Sequence, residues 1–249
     1  MSPVALVQGA SQGIGLALTR QLLADRADYR VVASSTNPLR AVELVALASR
    51  YPDRLHLMEL DVADEDTIAR AAERLRQYTD RLHLLVNVAG VLHGPDFGPE
   101  KKLDHVRPET LRRVFEVNAF GPLLVAKHFQ GFLRHEERSV FASLSARVGS
   151  ISDNRLGGWY AYRGSKAAQN MFTKTLSIEL GRTAPRAIVI GLHPGTVDTD
   201  LSKPFQGSVP PRQLLSPQRS APFLLAVVDA VTARDTGKVF DFRGSEIGP

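Results

Sequence analysis

The stretch YAYRGSK, residues 160–166, sets a phenol and an amine four residues apart, at Tyr162 and Lys166. On a helix, positions i and i+4 share a face. A free phenol titrates at ~10 and is a poor base at neutral pH. An ammonium a few ångströms away favours phenolate and moves the phenol towards a usable general acid–base. The same spacing also fits a plain solvated helix face, so the chemistry depends on what else gathers there.

Three other features point to the same place. Ser143 and Ser145 end a β-branched and aromatic run just before Tyr162. Period-two alternation puts both on one side of a strand. Asn118 lies inside a long helical pattern, where asparagine is a poor helix former and a buried amide needs partners. The run QGASQGIGLAL puts Gly9, Gly13 and Gly15 between the first strand and the first helix. Glycines there allow a tight turn, close backbone approach to a pyrophosphate, and free N–H groups at a helix start to receive it. The spacing is G-x-x-x-G-x-G, not the general G-x-G-x-x-G fingerprint. The second strand ends in Ser34, Ser35 and Thr36 where NAD-binding folds usually carry an acid. A carboxylate ~4 Å from a 2′-phosphate would cost several kcal/mol. Its absence favours NADP, with Ser35, Thr36 or Arg40 as phosphate contacts, and leaves NAD open.

The elements that must position these residues alternate regularly. Strands are expected at Val4–Gln8, Arg30–Ser35, Leu55–Leu60, Leu82–Val88, Ser139–Ser145, Ala187–Leu192 and Lys238–Phe242. Helices are expected between them, over about 14–24, 39–50, from Asp64, 108–133, 160–180, and from the cap Ser216 with Pro217 to about Thr232. Ile68, Ala71, Ala72 and Leu75 give the third helix one apolar face. Seven strands alternating with six helices imply one α/β domain over residues 1–249, with a parallel sheet covered on both faces. Residues 202–215 have no clear period and read as a substrate lid at about 200–215.

Composition narrows the classes. The chain has 249 residues, 43 % hydrophobic and 23 % charged, with a net charge of +5. The longest basic runs are the pairs Lys101-Lys102 and Arg112-Arg113, with acids interspersed, so no nucleic-acid footprint stands out. There is no cysteine, and the seven histidines show no ligand spacing, so no metal site is expected. No apolar run approaches the ~18 residues of a membrane span, and the start reads as a strand rather than a signal peptide. A cytoplasmic protein with no membrane partner is the expectation.

In their order along nearly the whole chain, GASQGIG, Asp61-Val62, the NVAG of Asn87–Gly90, VNAFG around Asn118, the strand-end serines, YRGSK and HPGTVDT of His193–Thr199 are specific. The sequence resembles the short-chain dehydrogenase/reductase family, and within it the C-factor and carbonyl-reductase-like subgroup. The resemblance implies a Rossmann-type doubly wound fold and hydride transfer between NADP(H) and a carbonyl or secondary alcohol. It implies Tyr162 as general acid–base, with Lys166 lowering its pKa and holding the nicotinamide ribose. Ser145 would polarise the carbonyl, and Asn118 would hold a water in a proton relay from Lys166. Cofactor contacts would come from Gly9, Ser11, Gln12, Gly13, Ile14 and Gly15, then Ser35 and Thr36. Asp61 and Val62 would flank the adenine. Asn87, Ala89 and Gly90 would line its ribose. Pro194, Gly195, Val197 and Thr199 would fix the nicotinamide. A homodimer or homotetramer through the helices near 108–133 and 160–180 is also implied.

The chain departs from the family at Gln8, where a threonine is usual, and at Val88, where a second asparagine is usual. The serines are spread over 143–145, with Ser145 preferred. Tyr162 follows Ser145 by 17 residues, a long gap, so Ile151–Trp159 must loop out as a pocket wall. Trp159 either stacks on substrate or closes the pocket. Tyr160, His93 and His193 read as packing or loop residues, and Arg134–Arg138 as a solvated helix end. The other reading kept open is a non-catalytic nucleotide-binding regulator or signalling protein on the same fold.

Overall fold

The computed structural model describes residues 2–249. Its strands are β1 (Val4–Gln8), β2 (Arg30–Ser35), β3 (Leu55–Glu59), β4 (Leu84–Asn87), β5 (Ser139–Leu144), β6 (Ala187–His193), β7 (Thr196–Val197), β8 (Leu214–Leu215), β9 (Val239–Asp241) and β10 (Glu246–Ile247). Its helices are α1 (Gly13–Asp25), α2 (Val42–Arg50), α3 (Glu65–Arg76), α4 (Pro108–Phe115), α5 (Gly121–Phe129), α6 (Tyr160–Thr183) and α7 (Pro217–Ala230).

Alternating side chains on each buried strand feed two cores. Ala5, Val7, Val140, Ala142, Ile188 and Ile190 face α1, α2 and α7. Their neighbours Leu6, Phe141 and Val189 face α3, α5 and α6. Strands buried on both faces are what a parallel sheet requires. The order is β10-β9-β6-β5-β4-β1-β2-β3. All pairings in it are parallel except β9–β10. The seven expected strands are present, and the sheet has eight because β10 adds an antiparallel edge. At two residues, β10 is too short to carry a readable alternation. The chain reverses its winding between β1 and β4, and such sheets bind ligands at the carboxyl ends of the strands beside that reversal.

Local chemistry explains the helix ends. Asp64 accepts from the Asp66 and Thr67 N–H groups at the start of α3, and Ser216 accepts from Arg219 N at 3.2 Å at the start of α7. The expected helix over 39–50 is a 3-10 turn, Pro38–Arg40, followed by α2. The expected helix over 108–133 is α4, a π-helical turn at Glu116–Phe120, α5, and a 3-10 end at Gln130–Leu133. Pro122 is the physical reason for the break: it has no N–H to give the Asn118 carbonyl and crowds it. The turn absorbs the misfit, with Gly121 N donating to the Glu116 carbonyl. Arg134–Arg138 is not simply solvated either. Arg138 donates to the Val231 carbonyl at 2.9 Å and ties off α7, while Glu137 pairs with Arg81 and His83.

Residues 198–215 are anchored at both ends. β7 and β8 pair with each other in a separate parallel ribbon. Between them lies a 3-10 segment, Lys203–Ser208. Ser202 Oγ donates to the Val197 carbonyl at 2.5 Å, and Gln206 Nε2 donates to Asp198 Oδ1 at 3.0 Å.

Phe129 is fully buried in the second core. Phe129→Ala should cost about 3–5 kcal/mol in a urea unfolding titration; a loss below about 1 kcal/mol would show that this core collapses around the gap.

Candidate active site

The glycine turn forms one end of the site. Gly9 N and Ala10 N donate to the Ser34 carbonyl, which fixes the loop to β2. Gly9 lies at φ +82° and Gly13 at φ +54°. A Cβ on Gly15 would stand 2.1 Å from the Gly9 carbonyl oxygen, so only glycine lets α1 start this close. The N-cap of α1, Gln12, makes no side-chain cap, and the first turn holds no acid. Its N–H groups and the positive end of the helix dipole therefore remain available to an anion.

A cavity of about 590 Å³ runs from this turn along the strand ends to α6. It is lined by Gly9, Ser11, Gln12, Gly13 and Ile14, then Ser35 and Thr36, then Asp61 and Val62, then Ala89 and Gly90. Ser145, Tyr162, Lys166, Pro194 and Thr199 line its far end. The other five expected residues lie behind the wall. Gly15 packs under the turn. Asn87 donates to Ser143 Oγ at 3.2 Å. Asn118 is fully buried. Gly195, at φ +77°, is pressed against Phe242. Val197 sits in the β7–β8 ribbon. Arg40 does not reach the lining.

The two serines separate clearly. Ser143 is buried on Asn87, while Ser145 faces the cavity and donates to Asn170 Oδ1 at 2.6 Å. The Asn118 side chain is taken up by nearby backbone. Its Nδ2 donates to the Val91 carbonyl at 2.8 Å and its Oδ1 accepts from Val91 N at 2.7 Å. The side chain clamps the strand end, and its π-turn carbonyl is the group that Pro122 leaves without an i+4 donor.

Helix α6 buries an unusually polar stripe: Tyr162, Ser165, Lys166, Gln169 and Thr173. Lys166 Nζ donates to the Leu144 carbonyl at 2.6 Å and to Gln169 Oε1 at 3.3 Å. It lies 5.9 Å from the centre of the Tyr162 ring. Tyr162 and Lys166 share a face, but the expected drop in the phenol's pKa is absent. Burial pushes Tyr162 up to about 12 and brings Lys166 down to about 7. Desolvation disfavours the charged form of each group.

Several lining residues were not among the sequence candidates. Gln8 reaches across to accept from Ala89 N at 3.2 Å, which is how the sheet accommodates it in place of a threonine. Arg113 and Val117 line the same cavity, their i, i+4 spacing being the available signal. A second cavity of about 510 Å³ lies beyond Tyr162, between the 93–101 loop, Trp159 and the 203–208 segment. His93 lines it, and its Nε2 lies 3.1 Å from the Asp200 carbonyl oxygen. His193 lines neither cavity, and burial brings it down to about 4.

Residues 3–208 match the family model described as short chain dehydrogenase. The chain belongs to that family. Short-chain dehydrogenases bind NAD(P) and act on small molecules, which agrees with an elongated cavity that starts at a helix N-terminus. The chain is 30 % identical over 233 residues to the 1-hydroxy-2-glutathionyl-2-methyl-3-butene dehydrogenase of Rhodococcus sp. strain AD45, covering 94 % of this chain and 93 % of that protein. It is 35 % identical over 170 residues to the C-signal protein of Myxococcus xanthus, covering 68 % and 93 %. Among solved structures, the NADPH-bound carbonyl reductase from chicken fatty liver superposes with a TM-score of 0.87 at 28 % identity, covering 99 % of this chain and 94 % of that one. The carbonyl reductase Sniffer of D. melanogaster gives 0.88 at 26 % identity, with both chains fully covered.

Burial of Lys166 leaves a signature in stability. The unfolded chain holds this proton up to pH 10.5, the folded chain only to about 7. Folding therefore expels a proton between those values, and stability rises with pH across that window. Lys166→Met removes the effect. The variant's stability advantage over the parent should shrink between pH 7 and 10 by up to about 1.4 kcal/mol per pH unit, read from urea melts. A constant difference would mean that Lys166 stays charged in the fold.

Proposed function

We propose that the protein is an NADP-dependent oxidoreductase that interconverts a carbonyl compound and a secondary alcohol. The observation that carries this reading is the convergence of Ser145, Tyr162 and Lys166 at the end of the cavity opposite the glycine turn. NADP fits the residues present. Ser35 Oγ is buried at the cavity wall with no protein partner, and no carboxylate stands at Ser34, Ser35 or Thr36 to repel a 2′-phosphate. The NADPH bound in the chicken carbonyl reductase supports the same choice.

The nicotinamide, when bound, supplies or accepts the hydride. Tyr162 hands its phenolic proton to the carbonyl oxygen during reduction and takes it back during oxidation. With burial holding the phenol up at about 12, Tyr162 rests protonated at neutral pH and carries the proton that reduction needs. Ser145 turns from Asn170 to donate to the same oxygen. The phenol's proton is replaced from Lys166 by way of a water that Asn118 would hold in the relay. The Asn118 side chain holds the Val91 backbone in place. Residues at about 200–215, which include the 3-10 segment Lys203–Ser208, act as the lid. Phe120, Leu123, Met171 and Ile178 are exposed on or beside α5 and on α6, and they support pairing of two copies through those helices.

A second reading, a nucleotide-binding regulator without turnover, has the C-signal likeness in its favour. It leaves the buried amine and the cavity-facing serine and tyrosine without a task.

Tyr162→Phe should lower kcat for NADPH-dependent carbonyl reduction by about 10²-fold or more and leave NADPH binding within about threefold. Undiminished turnover would remove Tyr162 from the mechanism. Ser35→Asp should reverse a preference for NADPH over NADH in fluorescence titrations. An unchanged preference would place the phosphate contact elsewhere.

A further inference from the structure

Helix α6 carries Tyr162 in its first turn but supplies no cap of its own. Its N-cap residue is Trp159, which makes no side-chain capping bond, and its first turn holds no acid. The free N–H groups of a helix start need acceptors. Two come from Glu100, far upstream. Glu100 Oε2 accepts from Ala161 N at 3.1 Å, and the Glu100 main-chain carbonyl accepts from Trp159 N at 2.5 Å. The Glu100 side chain is 2 % exposed, and its Oε1 has no protein partner. Half-satisfied buried carboxylates are costly, and an exposed capping residue would do the same job for the helix alone.

What Glu100 holds is strained. Trp159 lies at φ +54° and ψ +43°, the one non-glycine residue at positive φ among the described residues. A bulky side chain stays in this region only where its surroundings over-determine it, and such residues gather at binding sites. Gly157 and Gly158, both at φ +64°, lead the chain into this conformation. The indole then meets the Phe205 ring edge-on at 5.0 Å and Tyr162 at 6.2 Å. It forms the wall shared by the second cavity and the phenol. That cavity is lined by Pro99, Trp159, Pro204 and Phe205, with His93 and Lys101 beside them.

We infer that Glu100 is a positioning residue for substrate choice: by holding Ala161 N with its side chain it fixes the start of α6 and with it the adjoining Trp159, and so shapes the second cavity to hold the bulky apolar or aromatic substituent of a carbonyl substrate beside Tyr162. The inference rests on the proposed role of Tyr162.

The test compares kcat/KM with NADPH for an aryl ketone and for a small aliphatic aldehyde. The variants are Glu100→Ala, Glu100→Asp and Glu100→Gln in the full chain, with thermal melts alongside. Glu100→Ala and Glu100→Asp should lower the aryl-to-aliphatic ratio on the order of tenfold, mainly through KM for the ketone. Glu100→Gln should stay within about threefold, because its amide oxygen still accepts from Ala161 N. If Glu100→Ala does not fold, Glu100→Asp carries the test, since it keeps the charge and withdraws the acceptor. Equal losses on both substrates, an unmoved ratio, or a glutamine variant that behaves like alanine would overturn the inference alone. A parent protein that reduces neither carbonyl would overturn the reading of Tyr162, and this inference with it.

Discussion

The hydrogen bond from the buried Lys166 amine to the Leu144 carbonyl fixes the end of the cavity proposed to be catalytic. It ties the second turn of α6 to the last residue of β5, one residue before Ser145. Because β5 ends there, Ser145 leaves the sheet facing the cavity, and Tyr162 comes down beside it one helical turn before Lys166. A charged amine in such a place costs several kcal/mol unless it is paired. Burial brings Lys166 to about 7, so the group sheds its proton near neutral pH instead of carrying the full penalty. The same burial that packs α6 against the sheet therefore shifts both groups, the amine down and the phenol up.

The opposite end of the cavity is governed by backbone, not side chains. Crossover connections place the carboxyl ends of all the parallel strands on one edge of the sheet, and the reversal between β1 and β4 opens a crevice there. Glycines bring the start of α1 down to that crevice, where uncapped N–H groups collect positive potential. One end thus suits phosphate, and the other suits a carbonyl oxygen. The distance between them is set by the strand order of the sheet. Asn118 joins the two regions: its amide grips the Val91 backbone on one element and Ser165 on another.

Much of this was legible in the sequence because the signals are local. The strand–glycine–helix junction, the caps at Asp64 and Ser216, and the Tyr162/Lys166 spacing each lie within one or two turns of chain. What escaped depends on long-range contacts. Glu100 looks like a loop acid beside Lys101 and Lys102, and only the fold puts it under the first turn of α6. Asn118 was placed at the right helix, but the π-turn that sets its carbonyl and side chain follows from Pro122, a residue whose effect could have been read. β10 is too short for any pattern. Spacing reports the distance from Tyr162 to the amine, whereas the burial that raises the phenol depends on how the whole chain packs.

The chain's membership of the short-chain dehydrogenases rests on the match over residues 3–208, and the chemistry proposed for it rests on hydride moving to a carbonyl in this cavity. The most direct measurement is transfer of label. The protein would be incubated with NADPH deuterated at the transferring position of the nicotinamide and with an aryl ketone, and the products read by mass spectrometry. The account predicts one deuterium on the carbinol carbon of the alcohol, on a single stereochemical face. Tight NADPH binding with no deuterium in any product, across aryl and aliphatic carbonyls alike, would contradict it.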